Sequence, residues 1–457
     1  MRLRKRLLRA RVKGHFPIVF TDEAMSAHAG LALIARFLES AGWIRRLREV
    51  FANRDFDCDY GSFRMALSVI GLLLVGGRRL VHLRELEADP VFLRFARLGR
   101  LPSVRTLSRW LKTVTGPYRE GLSEMLRDVA FATWSRAELR RVTLDMDGTV
   151  IRTGERAQDA ARGFNPHHPK DPSYYPLTAH LAQTGQVLDV VNRPGNVHDS
   201  NGALDRLRFL IDDVRQRLGT VPIEARLDGA FCQKPILELL TTSRVEFAMK
   251  MPMWQWLGVR QCIASRKSWV RVNDRVSAFS LQLRIEKWKR TDRVVVFRKR
   301  IAGKPAKHFQ LDLFQPDDGY YEYSMVVTNK VESEPTIWAF MAGRGGHEKT
   351  LAELKQNVAF GSVVTDDWDA NSTWQLLSAL THNLMRHFQL EAGLASPRRN
   401  GRKRTYRHRF LSMRTLRFLA IHLPARVARP AGRSELRIAA APTTRRRLEE
   451  IQRAIAA

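Results

Sequence analysis

Leu144-Asp145-Met146-Asp147-Gly148-Thr149-Val150 lies where the texture of the chain changes. Before it, apolar residues return every three or four positions, as in Leu31, Leu33, Ile34, Phe37 and Leu38, the pattern of amphipathic helices over about residues 24–136. From residue 141 the apolar residues come in short runs, at 142–150, 177–182, 187–191 and 223–227, with a helical pattern at 201–218. Three strands, a helix and a fourth strand open an α/β layer with a mixed sheet. Alternate residues on a strand share a face, so Asp145 and Asp147 point the same way and either could meet a metal ion. Asp228 follows directly on the fourth strand.

Further out the pattern changes twice more. Alternating runs such as Ser280-Leu281-Gln282-Leu283-Arg284-Ile285 and Arg293-Val294-Val295-Val296-Phe297-Arg298 read as a β-rich insertion, which also carries Trp254, Trp256, Trp269 and Trp288. Helical character returns over 335–390, and a basic linker follows at 397–409. The expected organisation is a helical DNA-binding region at 1–136, a first core segment at 137–243, the insertion at 244–334, a core completion with a Glu-bearing helix at 335–392, and a basic helical region at 393–457. Within the first region, Ser103 is an N-cap candidate for a helix that carries Arg105, Arg109 and Lys112 on nearby turns. That helix reads either as the recognition helix of a helix-turn-helix or as a solvated basic helix.

The totals bound the class. With 457 residues, about two to three domains are expected, and 44% apolar residues suffice for packed cores. Lys plus Arg number 77 against 46 Asp plus Glu, a net charge of +31. Such a surplus repels itself in a compact state and favours a polyanion whose counterions are released on binding, so nucleic acid is the expected partner. The plainer alternative is a protein that is merely basic. The apolar run at 65–75 is shorter than the roughly 20 residues a bilayer span needs, and no signal-peptide pattern follows the basic start, so a cytoplasmic protein without membrane contact is expected. Cys58, Cys232 and Cys262 lie too far apart for a disulfide framework or a zinc knuckle.

Two chemistries compete for the central motif. Asp145-Met146-Asp147-Gly148-Thr149 resembles the DxDGT motif of haloacid dehalogenase-type phosphatases, in which the earlier Asp is the nucleophile. Residues 325–330 look like that superfamily's Thr-ended second strand, and 363–367 like its acidic fourth motif. Against this stand the mid-chain position of the motif, the long gap to Thr328, and a charge that a small-molecule phosphatase does not need.

The competing resemblance is longer. It runs through Gly163-Phe164-Asn165-Pro166-His167, Pro172-Ser173-Tyr174-Tyr175-Pro176-Leu177, Arg193-Pro194-Gly195-Asn196-Val197-His198-Asp199-Ser200-Asn201-Gly202, Leu227-Asp228-Gly229-Ala230-Phe231, Gly343-Arg344-Gly345-Gly346-His347-Glu348, Glu353-Leu354-Lys355 and Leu380-Thr381-His382-Asn383-Leu384. On these stretches residues 142–386 resemble the IS1380 family of bacterial insertion-sequence transposases, within the IS4-like DDE group. The resemblance implies a ribonuclease H-like (retroviral integrase-type) α/β catalytic core and places three catalytic, metal-binding acids on Asp147, Asp228 and Glu348. It further implies binding to the terminal inverted repeats and target DNA, a homodimeric synaptic complex, and cut-and-paste transposition. The group's signature around its third acid is matched by Arg344, Glu348 and Lys355, while Met341 stands where a Tyr is usual.

The spacing carries its own argument. On a helix starting near Gly346, Glu348 and Lys355 are about two turns apart on one face, with Arg344 at the helix entrance. A carboxylate for metal and two cations for phosphate can then converge on one strand of DNA. Hard Mg²⁺, or Mn²⁺ in its place, prefers such oxygen ligands, and two ions about 3.5–4 Å apart suit in-line phosphoryl displacement. Asn196 and His198 are candidates for positioning DNA, since their loop follows the third strand. His167, His168 and His198 read more readily as phosphate or backbone partners than as metal ligands. The tryptophans of the insertion are candidates for stacking on unpaired bases or for core positions, and Asp366, Asp367 and Asp369 for flanking a helix. A catalytically silent DNA-binding relic would carry the same motifs.

Overall fold

The computed structural model describes residues 17–52, 60–163, 169–301, 321–397 and 408–456. The apolar periodicity of the first third forms helices α1 (Leu31–Ser40), α2 (Trp43–Val50), α3 (Ser62–Leu74), α4 (Pro90–Ala96), α5 (Val104–Thr113) and α6 (Gly116–Arg136). The apolar run at 65–75 is a core helix as expected, buried without interruption from Met65 to Leu74 in α3. α5 begins where its cap predicts, with Ser103 Oγ accepting the Thr106 amide at 3.1 Å. Leu107, Trp110 and Leu111 turn inward, and Arg105, Arg109 and Lys112 are exposed.

Beyond residue 141 one mixed sheet dominates. Its strands are β1 (Val142–Gly148), β2 (Leu177–Leu181), β3 (Gln186–Val191), β4 (Ile223–Leu227), β5 (Glu246–Met251), β6 (Val270–Arg271), β7 (Val276–Ile285), β8 (Arg290–Arg300) and β9 (Tyr321–Thr328). Their order is β3-β2-β1-β4-β5-β9-β8-β7-β6. β1 pairs parallel with β4, and β4 with β5, while β1–β2 and β2–β3 are antiparallel. Parallel neighbours require crossovers: α7 (Ala203–Leu218) joins β3 to β4, and α8 (Lys234–Thr242) joins β4 to β5.

The β-rich stretch expected at 244–334 does not build a layer of its own. β5 accepts β9 antiparallel along its outer edge, with Met325 opposite Met251, and the β7–β8 hairpin extends the same sheet in register from Val276–Lys299 to Ile285–Arg290. An open edge on a central strand leaves backbone groups unpaired, and pairing β9 there satisfies them. The apolar face of this extension joins the core under α7 and α8, where Val294, Val296 and Met325 pack with Leu237 and Leu240.

The chain then forms α9 (Glu334–Ala342), α10 (Gly345–Asn357) and α11 (Trp368–Glu391). Asp367, expected to flank a helix, caps α11 by accepting the Ala370 amide at 2.9 Å. α11 packs on α5, α6 and β3, so the N-terminal helices and the edge of the sheet share one core. The stretch expected to be helical at 393–457 holds the helix Pro442–Ala454 and, before it, the strands Ala425–Ala428 and Glu435–Ile438. Those strands pair with each other and with Met25–Ser26, joining the two ends of the described chain. No described helix is long and apolar enough to cross a membrane.

Candidate active site

β1 and β4 run parallel and adjacent, so the residues that leave their C-terminal ends emerge side by side. Asp147 occupies the penultimate position of β1 and Asp228 follows the last residue of β4. Strand alternation puts Asp145 on the face of Asp147, but its surroundings differ. Arg226 lies opposite Asp145 in the β1–β4 register and grips it with two bonds, Nε to Oδ1 at 2.8 Å and Nη2 to Oδ2 at 2.6 Å. Both side chains are at most 1% exposed. A nucleophile buried in a bidentate ion pair is closed to a phosphate ester, so this arrangement argues against the phosphatase reading. Thr328, matched to that reading's second strand, is likewise buried and donates to the Phe247 carbonyl.

Asp147 and Asp228 meet on one cation. Arg344, at the entrance of α10, sends Nη2 to 2.8 Å from Asp147 Oδ2 and donates from Nη1 to Asp228 Oδ2 at 3.1 Å. Lys250, near the end of β5, lies 3.4 Å from Asp228 Oδ1, the oxygen that also accepts the Gly229 amide at 2.8 Å. The side chains of Asp147, Asp228 and Arg344 are 22%, 35% and 8% exposed, so the cluster opens to solvent from the two acids. Burial and the nearby carboxylates of Asp199 and Asp228 outweigh Arg344 at Asp147, whose pKa rises to about 7. At Asp228 burial pushes the same way, but Arg344 and Lys250 prevail and the pKa falls below the usual carboxylate value.

Glu348 stands apart. α10 starts at Gly345, as the motif predicts, and Glu348 falls in its first turn, yet its side chain is exposed. Among the described residues no group of three or more His, Cys, Asp or Glu side chains is close enough to hold a metal ion. The expected convergence of Asp147, Asp228 and Glu348 is thus realised for the first two alone, and the place between them is taken by Arg344. Two oxygen-only carboxylates gathered on one cation are the donor set a hard divalent ion selects, so these residues fit such an ion.

Arg344, expected to bind phosphate, here bridges the acids. Lys355 also has a different partner from the one expected: Nζ donates to the Val150 carbonyl at 2.7 Å and ties α10 to the exit of β1. Burial lowers its pKa. Asn196 and His198 lie exposed on the loop after β3, and His198 Nδ1 accepts the Ser200 amide at 3.3 Å. Buried Arg193 organises that loop by donating to the carbonyls of Tyr175, His198 and Asn201 at 3.0, 3.2 and 2.9 Å. The loop is packed so closely that a Cβ on Gly195 would lie 2.2 Å from Ser173 Oγ, which explains the glycine in its motif. Lys112 lies 3.8 Å from Asp367, while Arg105 and Arg109 face solvent. Residues 164–168, with His167 and His168, Cys58, and most of the basic linker lie outside the described residues.

Several site residues escape local sequence reading. Asp199 lies in the Arg193–Gly202 stretch, and the structure sets it against β1, where a Cβ on Gly148 would lie 2.1 Å from its Oδ1. It accepts the Tyr175 hydroxyl proton at 2.9 Å. His347, beside Glu348 in sequence, is buried and points Nε2 to 4.0 Å from Asp147 Oδ2. Burial and the neighbouring guanidiniums of Arg344 and Arg226 lower its pKa to about 3, so it is a neutral imidazole. On the other flank Trp254 stacks on Trp256 at 5.4 Å, Trp288 closes edge-on, and Lys287 lies over the Trp256 ring. Trp256 is 40% exposed, and Pro252, at the root of this cluster, neighbours Gly229. A cleft of about 1090 Å³ between α6, β3 and the start of α11 is lined by Arg127, Arg206 and Phe209 but by none of the three expected acids.

No curated protein matches the chain. Among solved structures it is similar to the piggyBac transposase in a synaptic complex with hairpin DNA, at 12% identity over 80% of each chain and a TM-score of 0.38. The family described as transposase DDE domain group 1 matches residues 11–457. The match spans all but the first ten residues, including both acids that share Arg344, and the chain belongs to this family of DDE transposases.

Proposed function

We propose that this protein, as an IS1380-type transposase acting in the cytoplasm, binds the terminal inverted repeats of an insertion sequence and moves it by cutting and joining DNA, with Asp147, Asp228 and Glu348 as its catalytic carboxylates. The observation that carries the reading is the meeting of Asp147 and Asp228, from the ends of adjacent parallel strands, on a single cationic group. A pair of bound Mg²⁺ or Mn²⁺ ions would supply Lewis-acid stabilisation of the attacking and leaving oxygens. Asp147 and Asp228 would hold that charge at the strand ends, and Glu348 would complete the set from the first turn of α10. Arg344, freed from the acids, and Lys250 face the phosphate. Water attacks the phosphorus in line, a P–O bond forms as the P–O3′ bond breaks, and the departing 3′-oxygen takes up a proton. The 3′-hydroxyl so released attacks a target phosphodiester in the same way, which joins the strands without an external energy source.

Two ends must be held together for joining, so a homodimeric complex with double-stranded DNA is part of the proposal. Asn196 and His198, exposed on the loop after β3 whose Asp199 lies against β1, are the residues proposed to position the DNA, and Arg105, Arg109 and Lys112 offer a second basic surface. The test uses a supercoiled plasmid carrying the DNA that flanks this reading frame. Wild-type protein with Mg²⁺ should nick it, and Asp147→Asn, Asp228→Asn and Glu348→Gln should each lower the rate at least a hundredfold. Equal nicking by all three variants would refute the assignment, and binding without cleavage by wild type would favour the silent relic.

A further inference from the structure

Behind Asp147 lie three buried imidazoles, those of His347, His180 and His382. Arg386 Nε donates to His382 Nε2 at 3.2 Å, a contact with hydrogen-bond geometry, whereas Glu353 Oε2 lies farther from that nitrogen, at 3.6 Å. Nε2 is therefore the acceptor, and His382 carries its proton on Nδ1. That Nδ1 and His180 Nε2 are both buried and without a direct hydrogen-bond partner among the described residues. His180 Nδ1 and His347 Nδ1 are 2.5 Å apart, a contact that needs one proton between the two nitrogens. If His180 donates, His347 Nδ1 accepts, and His347 must carry its own proton on Nε2. That atom is the buried, unpartnered nitrogen 4.0 Å from Asp147 Oδ2. The opposite arrangement would aim a bare lone pair at a carboxylate.

The geometry points to His347 as a positioning residue for Asp147, held by His180 in the tautomer that presents Nε2–H to the carboxylate. This rests on the proposed role of Asp147. His347 and Arg344 both address Oδ2, so the protein grips one oxygen of the carboxylate. A shift of about 1 Å closes the His347 contact to hydrogen-bond length. Imidazole and carboxylate partners of this kind orient metal ligands, and their loss typically costs ten- to a hundredfold in metal affinity.

The experiment has two readouts on the full chain. Long-range ¹H–¹⁵N correlation on protein labelled at histidine should show His347 as the Nε2–H tautomer in the wild type, a measurement independent of any variant's folding. Titration with Mn²⁺ alone, followed by loss of the free-ion electron paramagnetic resonance signal, should show His347→Phe binding at least tenfold more weakly. His347→Gln, whose side-chain amide replaces the Nε2–H, should retain most of the affinity. An Nδ1–H tautomer at His347, or wild-type affinity in His347→Phe, overturns the proposal. Asp147→Asn separates the two ideas. If it loses Mn²⁺ while His347→Phe keeps it, only the histidine chain is wrong, and if it binds Mn²⁺ like wild type, the carboxylate site itself has failed.

Discussion

Asp147 and Asp228 share the Arg344 guanidinium, and burial raises the pKa of both, yet the net shifts are opposite because Arg344 and Lys250 together prevail at Asp228. Asp147 binds its proton more tightly in the folded than in the unfolded chain, with a pKa of about 7 against 3.8. Its contribution to stability is full below about pH 4 and is lost as pH rises towards 7. Asp228 has a lowered pKa, so its contribution is present above its unfolded value and is lost in acid. Asp147→Asn should therefore raise the melting temperature of metal-free protein at pH 8 and leave it unchanged near pH 4. The ceiling is about 4 kcal/mol, reduced by the partial exposure of the side chain. Proton and metal compete for this carboxylate, so Mn²⁺ affinity should weaken as pH falls below about 7. Arg344→Ala removes the cation that offsets both acids and should cost metal-free protein about 3 kcal/mol in urea unfolding. Added Mn²⁺ should restore more stability in that variant than in wild type, since the ion then meets no resident competitor.

At the scale of elements, α10 is joined to the sheet at both ends. Arg344 reaches the strand-end acids from its first residues, and Lys355 holds the Val150 carbonyl from its last turn. Lys355→Met keeps the aliphatic stem but strands that carbonyl, which should cost about 1–3 kcal/mol in chemical unfolding. DNA affinity should change little if the tie to Val150 is the main role of Lys355, and fall with a reduced salt dependence if the side chain leaves it for phosphate. The helix itself was legible from the Gly345–Gly346 start and the spacing of Arg344, Glu348 and Lys355. The strands at 142–148 and 223–227 were legible too, because β-branched and apolar runs bounded by Gly and Pro have few other readings. Their partners were not. The Asp145–Arg226 pair spans 81 positions and the His180–His347 contact spans 167, and no local period encodes either. The β-rich stretch looked separate for the same reason: its alternation fixed strands, but only the free edge of β5 decided which sheet they joined.

Across the whole molecule, a net charge of +31 sits on a chain whose N-terminal helices, sheet edge and C-terminal segments share one core. Many of its cations are spent internally, as at Arg226 and Lys330, so most phosphate contacts must come from exposed ones such as Arg105 and Arg109. Binding to a DNA duplex should be steeply salt-dependent, losing about a thousandfold in affinity between 50 and 200 mM salt if six or more phosphates are neutralised. Fluorescence anisotropy with a labelled duplex reads that slope, and a slope near zero would contradict a backbone-driven interface. The most direct test of the account is anomalous scattering from crystals of the DNA complex grown with Mn²⁺. The prediction is density between Asp147 and Asp228, with their oxygens at about 2.1 Å, Glu348 turned inward, and Arg344 moved onto a phosphate. Manganese bound elsewhere, with Arg344 still bridging the two acids in the DNA-bound state, would contradict it.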